Sequence, residues 1–216
     1  MIEVTEFQIA LFASSFDLSD ETVLTKQIKD VFGFDNPTQN ILPQQAGSLL
    51  PRIYVSQDSL EVQAGESKIN LIFKQNEQQS LALDDFLKHV KKFTEIDYFK
   101  NIRFTRIGFA VTEVKHVDSY SDFIKKVFVR GWSQEAETFS SRTDYFFNTD
   151  TKQEAYLVVL MQSVLNSQSE KGALVQFDVS TKETEDINKK SNEIIGVVED
   201  LVKSDFFEQK KKHFET

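Results

Sequence analysis

Asn101-Ile-Arg-Phe-Thr-Arg-Ile-Gly-Phe-Ala-Val-Thr-Glu-Val-Lys-His-Val117 is a long β-prone run near the middle of a 216-residue chain, and its reading decides the fold. The segments on its two sides follow one order. Upstream, Ile2 to Ser14 alternates loosely through Val4, Phe7, Ile9, Leu11 and Ala13, the pattern of a strand with one buried face. Asp17 or Ser19 then offers a helix N-cap, Val23, Leu24, Ile28, Val31 and Phe32 share one helical face, and Gly33 ends the helix. The span from Asp35 to Gly47, rich in Asn, Gln and Pro, reads as a long loop. Pro51 to Ser56, Leu60 to Ala64 and Ile69 to Phe73 follow as three short strands of a meander. A helix from about Leu83 to Phe99 closes this half, with Leu83, Phe86, Leu87, Val90 and Phe93 as its apolar stripe.

Downstream of the central run the order repeats. Asp118 or Ser119 caps a helix carrying Tyr120, Phe123, Ile124, Val127 and Phe128. Three longer strands are expected at Glu137 to Asn148, Glu154 to Leu165 and Gly172 to Thr181, then a long helix from about Glu185 to Lys211. The two halves share faint local similarity. Ile28-Lys-Asp-Val-Phe32 corresponds to Ile124-Lys-Lys-Val-Phe128, and Ile9-Ala-Leu sits where Ile107-Gly-Phe does. Duplication explains this, and so does shared amphipathic periodicity. The expected fold is a single α+β domain: one antiparallel sheet of about eight strands with four helices on one face, and pseudo-repeats over 1–99 and 100–216.

Composition sets limits on chemistry. The chain has no cysteine, which removes disulfides, thiolate metal sites and cysteine nucleophiles. The N-terminus lacks a basic region followed by an apolar run, and no window approaches a membrane span, so a cytoplasmic protein is expected. A formal charge of −9 disfavours non-specific attraction to nucleic acid. Twenty phenylalanines point to a core of large apolar rings. His89, His116 and His213 stand far apart in no ligand motif, and phosphate-binding glycine motifs are absent, so no metal or cofactor is expected.

Asp144 and Asp178 each interrupt a strand between aromatic or aliphatic residues. Together with Arg103, Arg106 and Arg142 on neighbouring expected strands they form a candidate charged cluster on one sheet face, because residues two apart share a face. Such a cluster suits a ligand pocket or acid–base chemistry, and equally it is how the solvated face of a sheet looks. Arg130 and Trp132 are candidate interface anchors, with Trp132 alternatively covering a helix end. Paired lysines along the helices have mostly acidic neighbours and read as solvated faces.

Two resemblances accompany these readings. The Arg106-Ile-Gly-Phe109 and Phe177-Asp-Val179 strands, with a terminal helix ending in Asp205-Phe-Phe207 and His213-Phe214, are similar to a sporadically distributed family of uncharacterised prokaryotic proteins. That family has no assigned activity, so the resemblance implies no residue roles; its patchy distribution suits an accessory protein of a mobile-element or defence context. The element order also resembles the duplicated TATA-binding-protein fold, whose curved sheet meets its ligand on the concave side.

The absence of catalytic motifs, combined with an aromatic two-layer design, points to a non-enzymatic protein-interaction protein that docks another protein or a second copy of itself. The alternatives are a small-molecule or catalytic pocket between sheet and helices, and nucleic-acid binding on a concave sheet face.

Overall fold

The β-prone central run folds, in a computed structural model, into the middle of a nine-stranded antiparallel sheet. The structure describes residues 2–18, 20–42, 51–75, 81–127, 138–165, 171–182 and 191–215. In chain order the elements are β1 (Ile2–Ala13), α1 (Glu21–Phe32), β2 (Thr38–Ile41), β3 (Ile53–Gln57), β4 (Leu60–Ala64), β5 (Lys68–Lys74) and α2 (Leu83–Thr94). A 3-10 turn (Asp97–Asn101) leads into β6 (Phe104–His116), α3 (Tyr120–Val127), β7 (Ser140–Asn148), β8 (Glu154–Leu165), β9 (Lys171–Thr181), α4 (Ser191–Lys203) and α5 (Asp205–Glu215).

The strands lie in the order β2-β3-β4-β5-β1-β6-β9-β8-β7. β1 and β6, rich in β-branched and aromatic residues, pair along almost their whole length at the centre, from Ile2 opposite Lys115 to Ala13 opposite Phe104. The order is mirrored about that pair: β5, β4 and β3 step outward from β1 as β9, β8 and β7 do from β6. β2 adds one further strand at the first edge.

Because side chains alternate along a strand, register decides which residues meet the helices. Phe7, Ile9 and Leu11 stand opposite Phe73, Leu71 and Ile69 on one side and Val111, Phe109 and Ile107 on the other, and all of these are buried. Helices cover this face. Phe86 of α2 is fully buried and stacks on Phe7 with ring centroids 5.5 Å apart, with Phe73 and Phe109 completing the cluster. Phe207 and Phe214 of α5 meet Phe177 edge-on, while Leu24 and Ile28 of α1, Phe123 of α3 and Val198 of α4 belong to the same continuous core. Among the described residues one buried charge faces the helices. Glu113 of β6 faces the helices, and Lys211 of α5 meets it at 2.8 Å, tying the last helix to the central strand.

Several boundaries differ from expectation for identifiable reasons. Asp20, not Asp17 or Ser19, caps α1, its carboxylate accepting from the Val23 N–H; Ser19 lies outside the described residues. Ser119 caps α3 as expected, accepting from the Asp122 N–H. The span 35–47 contains β2, which is all exposed and held by pairing with β3. α2 stops at Thr94, and the following turn places the Phe99 ring edge-on to Phe93 and Phe104, a packing a straight helix would forfeit.

The expected long final helix is two helices. Ser204 separates them: its hydroxyl donates to the Leu201 carbonyl and accepts from the Phe207 N–H, ending one helix and capping the next. The described chain thus has nine strands and five helices where about eight and four are expected. Among the described residues no helix is long and apolar enough to cross a membrane.

Phe86→Ala should destabilise the protein by about 3–5 kcal/mol, since it empties the centre of the ring cluster. Phe146→Ala, at a side chain 76% exposed, should change stability by no more than about 0.5 kcal/mol. Urea unfolding of both variants checks the contrast.

Candidate functional site

The sheet face away from the helices carries the alternate set of side chains, and at its centre those are small. Ala10 stands opposite Gly108, which stands opposite Ser180; Gln8, Ala110 and Asp178 form the next row. Larger groups rise on either side. Phe12, Lys68 and Arg106 form one bank, from β1, β5 and β6, and Tyr156 and Phe146 form the other, from β8 and β7, their rings edge-to-face at 4.8 Å. Small residues between large ones make a trough of about 690 Å³ floored by β1, β6 and β9.

The charged residues along it are unequally engaged. The Arg142 guanidinium bonds Asp144 two residues along the same strand at 3.0 Å, with both side chains more than half exposed. Lys182 meets Glu154 at 2.8 Å. The Arg106 guanidinium carbon instead sits over the Phe12 ring, 3.8 Å from its centroid, with Lys68 Nζ at 5.5 Å from the same ring. Among the described residues neither cation, nor Asp178, makes a hydrogen bond or a close ion pair.

Partial burial acts on these groups. It pushes the Asp178 carboxyl up, and the nearby positive charges of Lys68, Arg106 and Arg142 only partly offset it. Burial also pulls the Lys68 ammonium down, opposed by Asp178 and reinforced by Arg106.

The structure therefore brings together Arg106, Arg142, Asp144 and Asp178 from the sequence-based set, on one face. One expectation is corrected. Arg103 precedes β6, is exposed, and does not line the trough. The trough lies on the open face, while the side between sheet and helices, where the alternative reading put a pocket, holds a core of phenylalanine rings among the described residues. Arg142 and Asp144 fit the solvated-face reading, whereas Asp178 and Arg106 are half-buried. Arg130 and Trp132 lie outside the described residues.

Lys68, Phe12 and the small floor residues were not among the candidates. A signal for them exists: Ile9-Ala-Leu and Ile107-Gly-Phe, similar between the halves, are direct cross-strand neighbours, and their middle residues meet on the open face.

Gly108 is informative. Its backbone is not left-handed, and a Cβ placed there would sit 3.7 Å from Ala10, Phe12 and Ser180, an ordinary contact. The fold itself accommodates alanine at this position. Glycine inside a strand weakens it, and often marks where something approaches the backbone closely.

His89 sits against Phe32 and Phe73 on the helix side, and burial pulls its imidazole below the ordinary value. Among the described residues no group of three or more His, Cys, Asp or Glu side chains could hold a metal ion. No family model matches the chain, and no curated protein matches it.

The raised Asp178 sets a sign for pH dependence. A carboxyl whose folded value exceeds its ordinary 3.8 favours folding when protonated, so its unfavourable contribution enters as pH rises from about 3.8 through the raised value and is complete above it. Asp178→Asn should raise the urea midpoint at pH 7, with the gain over wild type shrinking toward zero below pH 3.8. A midpoint lowered by the substitution at pH 7 would contradict the assignment.

Proposed function

We propose that the protein is a ligand-binding protein, and that the open-face trough seats a small anionic molecule with a flat or apolar body. The observation that carries this reading is the Arg106–Phe12–Lys68 bank. Two cations share one aromatic ring, and among the described residues neither has an anionic contact, so their N–H donors are available to a ligand. A guanidinium in that state is suited to a carboxylate or phosphate, which it can grip through two parallel hydrogen bonds.

Charge balance supports the choice. The trough lining holds Lys68, Arg106, Arg142 and Lys182 against Asp144 and Asp178, a positive excess in a chain of formal charge −9. Its volume of about 690 Å³ lies within the range of small-molecule sites. The floor of Ala10, Gly108 and Ala110 lets a flat ligand lie close to the sheet, between Tyr156 and the Phe12 ring. Asp178, whose side chain makes no hydrogen bond among the described residues, is placed to meet a polar hydrogen of the ligand.

Native mass spectrometry of protein purified at low salt should show a retained small-molecule adduct, and titration with benzoate or inorganic phosphate should raise the thermal midpoint. Arg106→Ala should weaken binding by about 1.5–3 kcal/mol, the usual value of a hydrogen bond to a charged group. Gly108→Ala should leave stability unchanged or raise it by about 0.4–1 kcal/mol, while reducing binding through the methyl on the trough floor. No adduct together with no midpoint shift from either anion would remove the proposal.

A further inference from the structure

β7 ends the sheet, and among the described residues no strand pairs with its outer side. Edge strands are usually blunted by shortness, proline, charged side chains, a bulge or a covering helix or loop, and the only charges on β7 are the opposite pair Arg142 and Asp144. β2, at the other edge, is four residues long. β7 has nine residues, Ser-Ser-Arg-Thr-Asp-Tyr-Phe-Phe-Asn, with no proline and no lysine, and it pairs with β8 without a register shift.

The direction of its backbone groups follows from the pairing with β8. The Phe139 carbonyl accepts from the Ser163 N–H, and the Thr149 N–H donates to the Gln153 carbonyl. Hydrogen-bonded pairs alternate along an antiparallel ladder, so the odd-numbered residues of β7 use their backbone toward β8. Ser140, Arg142, Asp144, Phe146 and Asn148 therefore direct their N–H and C=O groups outward. Their side chains share the open face of the sheet.

A second β7 laid antiparallel against this edge must match even residues with even residues. With the two-fold axis at Thr143, Arg142 falls opposite Asp144 of the second copy and Ser140 opposite Phe146. Four pairs then exchange about eight backbone hydrogen bonds. A shift of two residues either way sets Arg142 opposite itself or Asp144 opposite itself, which like-charge repulsion disfavours. The Arg142–Asp144 pair, whose attraction now runs along one strand, would act across two. Phe146, 76% exposed, becomes a diagonal neighbour of Arg142 from the second copy, within reach of a cation–π contact.

We propose that the protein forms a two-fold symmetric homodimer by antiparallel pairing of β7 with the β7 of a second copy, in the register that sets Arg142 opposite Asp144. The contact is self-complementary, as a closed dimer requires, and it uses strand addition to an edge that no strand among the described residues pairs with. It places the two troughs side by side on the same face of one continuous sheet. It does not depend on the ligand reading, since it rests on backbone direction and edge charges alone.

Light scattering on the purified full chain tests it. Wild type should have twice the chain mass of 24.9 kDa. Asp144→Pro removes an outward N–H that β8 does not use, and should give the single-chain mass with unchanged circular dichroism. Arg142→Asp alone, which sets aspartates opposite one another, should weaken association by roughly tenfold or more. Adding Asp144→Arg to it should restore the dimer in the same register. A wild-type protein of single-chain mass, or a dimer indifferent to Asp144→Pro and to both charge variants, would overturn the proposal.

Discussion

Pairing of β1 with β6 is the constraint on which the rest of the molecule depends. Each strand has two faces, and the register between these two settles both at once. On one face it aligns Phe7, Ile9 and Leu11 with Val111, Phe109 and Ile107, making the platform on which the phenylalanine core and its helices sit. On the other it aligns Ala10 with Gly108 and Phe12 with Arg106, setting the trough floor and its cationic bank. A slip of β6 by one residue would exchange that strand's faces, turning Arg106 and Gly108 into the core and Ile107 and Phe109 into water. Core and trough are consequences of the same ladder.

Much of the architecture is legible in the sequence because it rests on periodicity. The alternation in residues 2–14, the β-prone run 101–117, the three short runs of the meander, and the stripe through Phe86, Val90 and Phe93 all identify their elements. What escapes periodicity is set by single hydrogen bonds or by tertiary packing. The hydroxyl of Ser204 divides an apparently continuous amphipathic stretch, and β2 is a strand through its partner rather than its composition. The charged cluster is legible in part: Arg106, Arg142, Asp144 and Asp178 share a face as alternation implies, while Arg103 falls just before the strand begins. Lys68 joins them from a strand more than thirty residues earlier, and only strand order makes it a neighbour of Phe12.

The trough also holds the groups least suited to stabilising the fold. Asp178 is held partly out of water without a close ion pair among the described residues, Gly108 occupies a strand interior where its own packing admits a methyl, and Arg106 and Lys68 crowd two like charges over one ring. Each is a local departure from what stability favours, and they converge on one place. Such convergence is expected where a protein keeps groups for a ligand rather than for its own packing. The helix side, by contrast, pairs its buried carboxylate Glu113 with Lys211 and fills its interior with rings.

The most direct test of an open-face anion site is to follow the backbone amide resonances of isotopically labelled protein as benzoate, and separately inorganic phosphate, is added. The account predicts saturable shifts concentrated on Ala10, Phe12, Arg106, Gly108 and Ser180, with the helix-side residues unmoved. Shifts confined to the helices, or non-saturating drift spread over surface lysines, would contradict it.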